Sequence, residues 1–111
     1  MRRFRITYRP DAVADLEELF RYLVRRGAAA PVARRFVGRV RDRCRRICEA
    51  PLGGSPRDDL APGIRIAPFE RRAVIAYLVT GDRVEIVNIF YGGRDYEAIY
   101  RAAAEPEVNS E

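Results

Sequence analysis

The apolar positions of the chain change their period three times. Phe4, Ile6 and Tyr8 alternate with Arg3, Arg5 and Thr7, the two-residue period of a short strand with one buried face. From Pro10 the period lengthens, and Ala12, Leu16, Leu19, Phe20 and Leu23 recur at helical spacing. Pro10 suits a first helical position, Asp11 and Asp15 lie toward the positive end of the helix dipole, and Gly27 after Arg26 is free to take a left-handed cap. Pro31 starts a second helix, in which Val32, Phe36, Val37, Val40, Cys44, Ile47 and Cys48 form an apolar stripe that runs to Ala50-Pro51. Its other face carries Arg34, Arg35, Arg39, Arg41, Arg45 and Arg46, and the short connection predicts an antiparallel helical hairpin. Leu52 to Pro62, rich in Gly, Pro and Asp, reads as a loop.

Beyond the loop the period returns to that of strands, at Gly63 to Ala67, Arg72 to Thr80 and Arg83 to Tyr91. Ala73 to Val79 is apolar on both faces, as a central strand covered on both sides requires, and Gly81-Asp82 makes a tight hairpin into the strand after it. Together these predict an antiparallel meander. After Gly92-Gly93, Asp95 caps a last short helix in which Tyr96, Ile99, Tyr100 and Ala103 share a face. The order β, α, α, β, β, β, α predicts an α+β domain over residues 1–104, with the helices on one side of a small antiparallel sheet and a flexible tail over 105–111.

Length and composition narrow the function classes. A chain of 111 residues supports one core, and 48% hydrophobic with 33% charged residues is a globular balance. The apolar runs are too short to cross a bilayer and Met1 to Arg5 holds no apolar signal core, so a cytoplasmic protein without membrane contact is expected. All 21 basic residues are arginine, which with frequent Ala, Gly and Pro fits GC-rich bacterial coding. The net charge of +5 implies attraction to an acidic partner, whether nucleic acid, an acidic protein segment or an anionic surface.

The standard catalytic sets are missing. There is no histidine, hence no Ser-His-Asp or Cys-His pair, and no phosphate-cradling P-loop or carboxylate pair at a telling spacing. Cys44 and Cys48 stand four apart on the buried face of a helix, too far along its axis for a relaxed disulfide and two ligands short of a structural zinc site. They read as small core residues, and neither a metal nor a cofactor is expected. What remains is a basic and aromatic cluster toward the end of the sheet: Arg65, Arg71, Arg72, Tyr91, Arg94, Tyr96 and Tyr100. Two readings are open for it. The cluster faces a polyanion or an acidic protein patch, or else the tyrosines dock the last helix on the sheet and the arginines are solvated.

Several segments resemble the ParE/RelE superfamily of type II toxins. They are Pro10-Asp11-Ala12 through Asp15-Leu16, Pro51-Leu52-Gly53-Gly54, Leu60-Ala61-Pro62-Gly63-Ile64-Arg65, Val74-Ile75-Ala76-Tyr77, and the run from Val84 to Asp95. The resemblance covers residues about 3 to 101 and implies a helical hairpin packed on an antiparallel sheet. It also implies one of two activities: ParE-like members poison DNA gyrase, whereas RelE-like members cleave mRNA in the ribosome. Arg94 and Tyr100 resemble the last arginine and tyrosine of the RelE-like branch, with Arg71 or Arg72 as a further phosphate contact. The lysines and terminal histidine of that branch have no counterpart here, and an arginine that stays charged is a poor proton carrier. The reading preferred on these grounds is a gyrase inhibitor of the ParE type, not an enzyme, with a RelE-type ribonuclease using Arg72, Arg94 and Tyr100 as the alternative. The target would meet Arg65, Arg72, Tyr91, Arg94, Tyr96 and Tyr100. A ParD-like antitoxin would wrap the domain, bound by Leu19, Leu23, Arg35 and Arg39.

Overall fold

The computed structural model describes residues 4–104; Arg3 and the expected tail over 105–111 lie outside the described residues. The elements are β1 (Arg5–Tyr8), α1 (Pro10–Arg25), α2 (Ala30–Ile47), β2 (Ser55–Pro56), β3 (Arg65–Phe69), β4 (Ala73–Thr80), β5 (Arg83–Tyr91) and α3 (Tyr96–Ala104). Both long helices begin with a proline in their first two positions, where a missing N–H removes no helical bond. At α3 the cap is a side chain, the Asp95 carboxylate accepting from the Ala98 N–H at 3.1 Å.

The strands form one sheet in the order β1-β5-β4-β3-β2, so the strand that is apolar on both faces is the central one. β3, β4 and β5 make the expected antiparallel meander. β1 departs from the expected all-antiparallel sheet, because it pairs with β5 in parallel, from Arg5 opposite Arg83 to Tyr8 opposite Ile86. Such pairing needs a long crossover, which the two helices supply. The segment expected to be only a loop holds β2, whose Ser55 and Pro56 pair with Ile66 and Arg65 of β3. Two residues are too few to show a period, and a proline is tolerated at a sheet edge because no ladder bond is lost there.

The side chains divide into two cores. On one face Leu16 and Leu19 of α1 and Phe36, Val40, Cys44 and Ile47 of α2 pack on Ile75, Tyr77, Val84, Ile86 and Ile89. On the other face Leu60, Ile64, Ile66, Ala76, Val87 and Phe90 are covered by Tyr96 and Tyr100 of α3. The helices therefore do not all lie on one side of the sheet, as the order of elements had implied. Gly92 and Gly93, with φ of 67° and 73°, turn the chain around the end of β5 and deliver α3 to the far face.

A bulge decides what the end of β5 presents. Ala76 lies opposite Asn88 but Tyr77 lies opposite Ile86, which leaves Val87 without a partner in the ladder. Before it Val84 and Ile86 face the helical hairpin; after it Ile89 and Tyr91 do, while Val87 and Phe90 face α3. Where β1 stops, the Asp15 carboxylate of α1 takes over the open edge of β5, accepting from the Ile89 N–H at 2.9 Å and from Asn88 Nδ2 at 3.1 Å. The loop before β2 is fixed by Tyr77, whose hydroxyl donates to the Pro51 carbonyl at 2.8 Å and accepts from the Gly54 N–H at 2.9 Å. Both cysteines are buried, as their place in the apolar stripe predicts. Burial pushes the Cys44 thiol up to about 11.

Candidate functional site

A cavity of about 450 Å³ opens between the C-terminal half of α1, the start of α2, the β3–β4 turn and the end of β5. Its floor is apolar, from Leu19, Leu23, Ala28 and Phe36, and its walls hold Tyr22, Arg26, Arg71, Arg72, Tyr91 and the Gly92-Gly93 backbone. Three guanidinium groups and no carboxylate line it. Among the described residues none of Arg26, Arg71 and Arg72 forms a salt bridge.

The arginines around this cleft lie on aromatic faces. Arg26 sits 5.7 Å from the Tyr22 ring centroid and Arg72 5.7 Å from that of Phe36. Arg94, at the rim, sits 5.4 Å from the Tyr91 centroid. At such distances the ring quadrupole attracts the cation. Tyr22 and Tyr91 meet at 5.1 Å between centroids, tilted by 55°. That contact depends on Gly92, because a Cβ there would lie 2.9 Å from the Tyr22 hydroxyl oxygen.

The β3–β4 turn sorts charge. Glu70 and Arg71 both adopt left-handed backbone, φ 49° and 57°, and the Arg72 N–H donates to the Phe69 carbonyl at 3.0 Å. Residues other than glycine, Asn and Asp rarely hold this geometry, which costs about 1–2 kcal/mol each. The turn directs Glu70 away from the cleft to Arg39 of α2, which donates to both carboxylate oxygens at 3.1 and 3.2 Å. Those hydrogen bonds hold the Glu70 carboxyl below its usual range. Arg71 and Arg72 are left to the cleft wall.

The residues expected at the site from sequence do not all meet. Arg72 and Tyr91 line the cleft and Arg94 stands on its rim, and Leu19 and Leu23 form part of its floor. Leu19 is itself buried. Arg65 is tied to the loop, donating to the carbonyls of Leu52 at 3.0 Å and Gly54 at 2.7 Å. Tyr96 and Tyr100 lie on the opposite face of the sheet, with ring centroids 5.7 and 5.8 Å from that of Phe90. Of the two readings of the cluster, the docking one describes these tyrosines. Arg35 is exposed, while Arg39 is held by Glu70 and lies 5.1 Å from the Phe36 centroid. Tyr22, Arg26 and Phe36 were not legible as site residues, although Leu19, Leu23 and Arg26 share one helical face that points to it.

A helical hairpin over one face of a mixed sheet, with a cationic and aromatic cleft at their junction, defines a small basic α+β domain. A family model described as "ParE toxin of type II toxin-antitoxin system, parDE" matches residues 6–96. The chain belongs to this ParE toxin family. Among solved structures it resembles a chain of "Chromosomal ParDE TA system from P. aeruginosa", with a TM-score of 0.69 and 20% identity, over 79% of this chain and 95% of that one. No curated protein sequence matches.

Proposed function

We propose that this toxin acts in the cytoplasm by binding DNA gyrase at the cleft and inhibiting it without catalysis of its own, and that a ParD-like antitoxin neutralises it. The observation that carries this reading is the open cleft itself, in which guanidinium groups and tyrosines stand without a carboxylate. Such a surface binds an acidic patch well and is poorly equipped to move protons. Arg72, Tyr91 and Arg94 are the target contacts. Arg65, Tyr96 and Tyr100, also assigned to the target from sequence, support this surface by holding the loop and α3.

The ribonuclease alternative requires Arg72, Arg94 and Tyr100 to act on one phosphodiester. The Arg72 guanidinium lies over Phe36 on the hairpin side, whereas Tyr100 packs on the other side of the sheet, which disfavours joint action. For the antitoxin, Leu23 and Arg35 are the direct contacts, with Leu19 beneath the first and Arg39 beside the second. The relative described as a ParDE system supports a partner of this kind.

The test is to assay the purified protein for inhibition of gyrase supercoiling beside ribosome-dependent mRNA cleavage. Gyrase inhibition with intact mRNA is expected, and Arg94→Ala should abolish it while leaving antitoxin binding largely intact. Cleaved mRNA with unaffected gyrase would overturn the reading.

A further inference from the structure

We propose that Arg39, which lies outside the cleft, is a positioning residue for it: by holding the Glu70 carboxylate it leaves Arg71 and Arg72 free for the acids of a partner. The inference rests on the reading of the cleft as the surface that takes an acidic patch, and names what keeps that surface cationic.

The competitor for these arginines is their own neighbour in the chain. Glu70, Arg71 and Arg72 follow one another in the β3–β4 turn, so the turn carries its acid beside the two bases that line the cleft. A carboxylate paired with them would repel the acids of another protein and occupy the donors that those acids need. The Glu70 carboxyl is held below its usual range first by the hydrogen bonds from Arg39, with smaller contributions from the charges of Arg39 and Arg72, so it stands within electrostatic reach of the cleft wall. Yet among the described residues neither Arg71 nor Arg72 forms a salt bridge.

The arrangement on α2 supplies the reason. Arg39 meets Glu70 as a fork, Nε donating to Oε2 at 3.1 Å and Nη2 to Oε1 at 3.2 Å, so both carboxylate oxygens are engaged. The Phe36 ring is common to both arginines: the guanidinium carbon of Arg39 lies 5.1 Å from its centroid and that of Arg72 lies 5.7 Å from it. With both cations against one ring, a carboxylate released by the first finds the second close by. The side chains of Arg39 and Glu70 are 49% and 41% exposed, so solvent screens the pair and its effect on binding is a modest factor.

Calorimetric titration of the intact chain with hexaglutamate at low salt tests this without gyrase. Arg72→Ala should weaken the peptide, which places it in the cleft. Arg39→Ala should weaken it about threefold, the scale of an exposed ion pair, although Arg39 does not line the cavity. Glu70→Gln should change little in the parent chain, yet in the Arg39→Ala chain it should restore affinity to within about twofold of the parent, because the competing carboxylate is gone. Charge acting only at a distance would make Glu70→Gln equally effective in both backgrounds. A brace lost with Arg39 would not return when Glu70 is neutralised. Either of those results, or an Arg39→Ala chain that binds as the parent does, would overturn the proposal. Hexaglutamate indifferent to Arg72→Ala would remove the cleft as an acid-binding surface and this inference with it, whereas a failed cycle beside a weakened Arg72→Ala chain removes the inference alone.

Discussion

Among the described residues Thr7 Oγ1 is the buried side-chain oxygen without a hydrogen-bond partner. A hydroxyl taken from water and left unpaired costs about 1–3 kcal/mol, and valine has nearly its shape. Thr7→Val should therefore raise the free energy of unfolding by about 1 kcal/mol; a denaturant melt showing a loss would mean that the oxygen is satisfied in solution. Cys44 makes a prediction about pH. Burial raises its thiol from 9.0 to about 11 in the folded chain, so the neutral form stabilises the fold fully below pH 9, and this contribution is lost as pH climbs toward 11. The loss amounts to about 3 kcal/mol at most. Melts at about pH 8 and about pH 10.5 should show Cys44→Ala losing less stability over this interval than the parent chain; equal losses would assign the titration to another group. The core role of Cys44 was legible because the apolar stripe of α2 passes through it. Asp15 was legible only as a helix-dipole residue, because nothing local reveals that the edge of β5 opens beside it.

Among the elements, the loop between α2 and β2 shows how a motif acquires its reason. At Gly54 a Cβ would fall 2.3 Å from the Tyr77 hydroxyl, which bridges Pro51 and Gly54 from the central strand. Gly54→Ala should cost about 2–3 kcal/mol through that overlap. Adding Tyr77→Phe should recover part of the loss, because the clashing oxygen goes with it. Additive losses in a double-mutant cycle would show that the two sites do not meet. Helices, the meander and the cap at Asp95 were legible because each has its own period or end signal. The bulge at Val87, β2 and the left-handed Glu70-Arg71 pair were not. Each depends on what lies across the sheet, and the last breaks the usual preference of such turns for glycine or asparagine. The bulge matters most for the site, since it turns Tyr91 toward the cleft and Phe90 toward α3.

For the whole molecule the net charge of +5 sets an expectation for the antitoxin complex. If the partner is acidic, its affinity should fall as salt rises, and Arg35→Glu should weaken it several-fold, mainly by slowing association. Affinity indifferent to both would refute an electrostatic grip. Arg72, Tyr91 and Arg94 were legible in the sequence because the predicted hairpin sets the start of β4 beside the end of β5. Tyr22, Arg26 and Phe36 come from the helical hairpin, and only the fold brings them to the same opening. The parallel pairing of β1 was equally hidden, since a short strand at the start carries no sign of which neighbour it will find. That pairing sets a timetable for the newborn chain. A ribosome making it releases Ile6 and Tyr8 long before Val84 and Ile86 exist, so the first strand and the hairpin wait without their sheet until β5 has been made. The cleft, needing Tyr22 and Tyr91 together, comes into being only once Tyr91 has been made. Any partner able to grip the two long helices alone has that interval to arrive first.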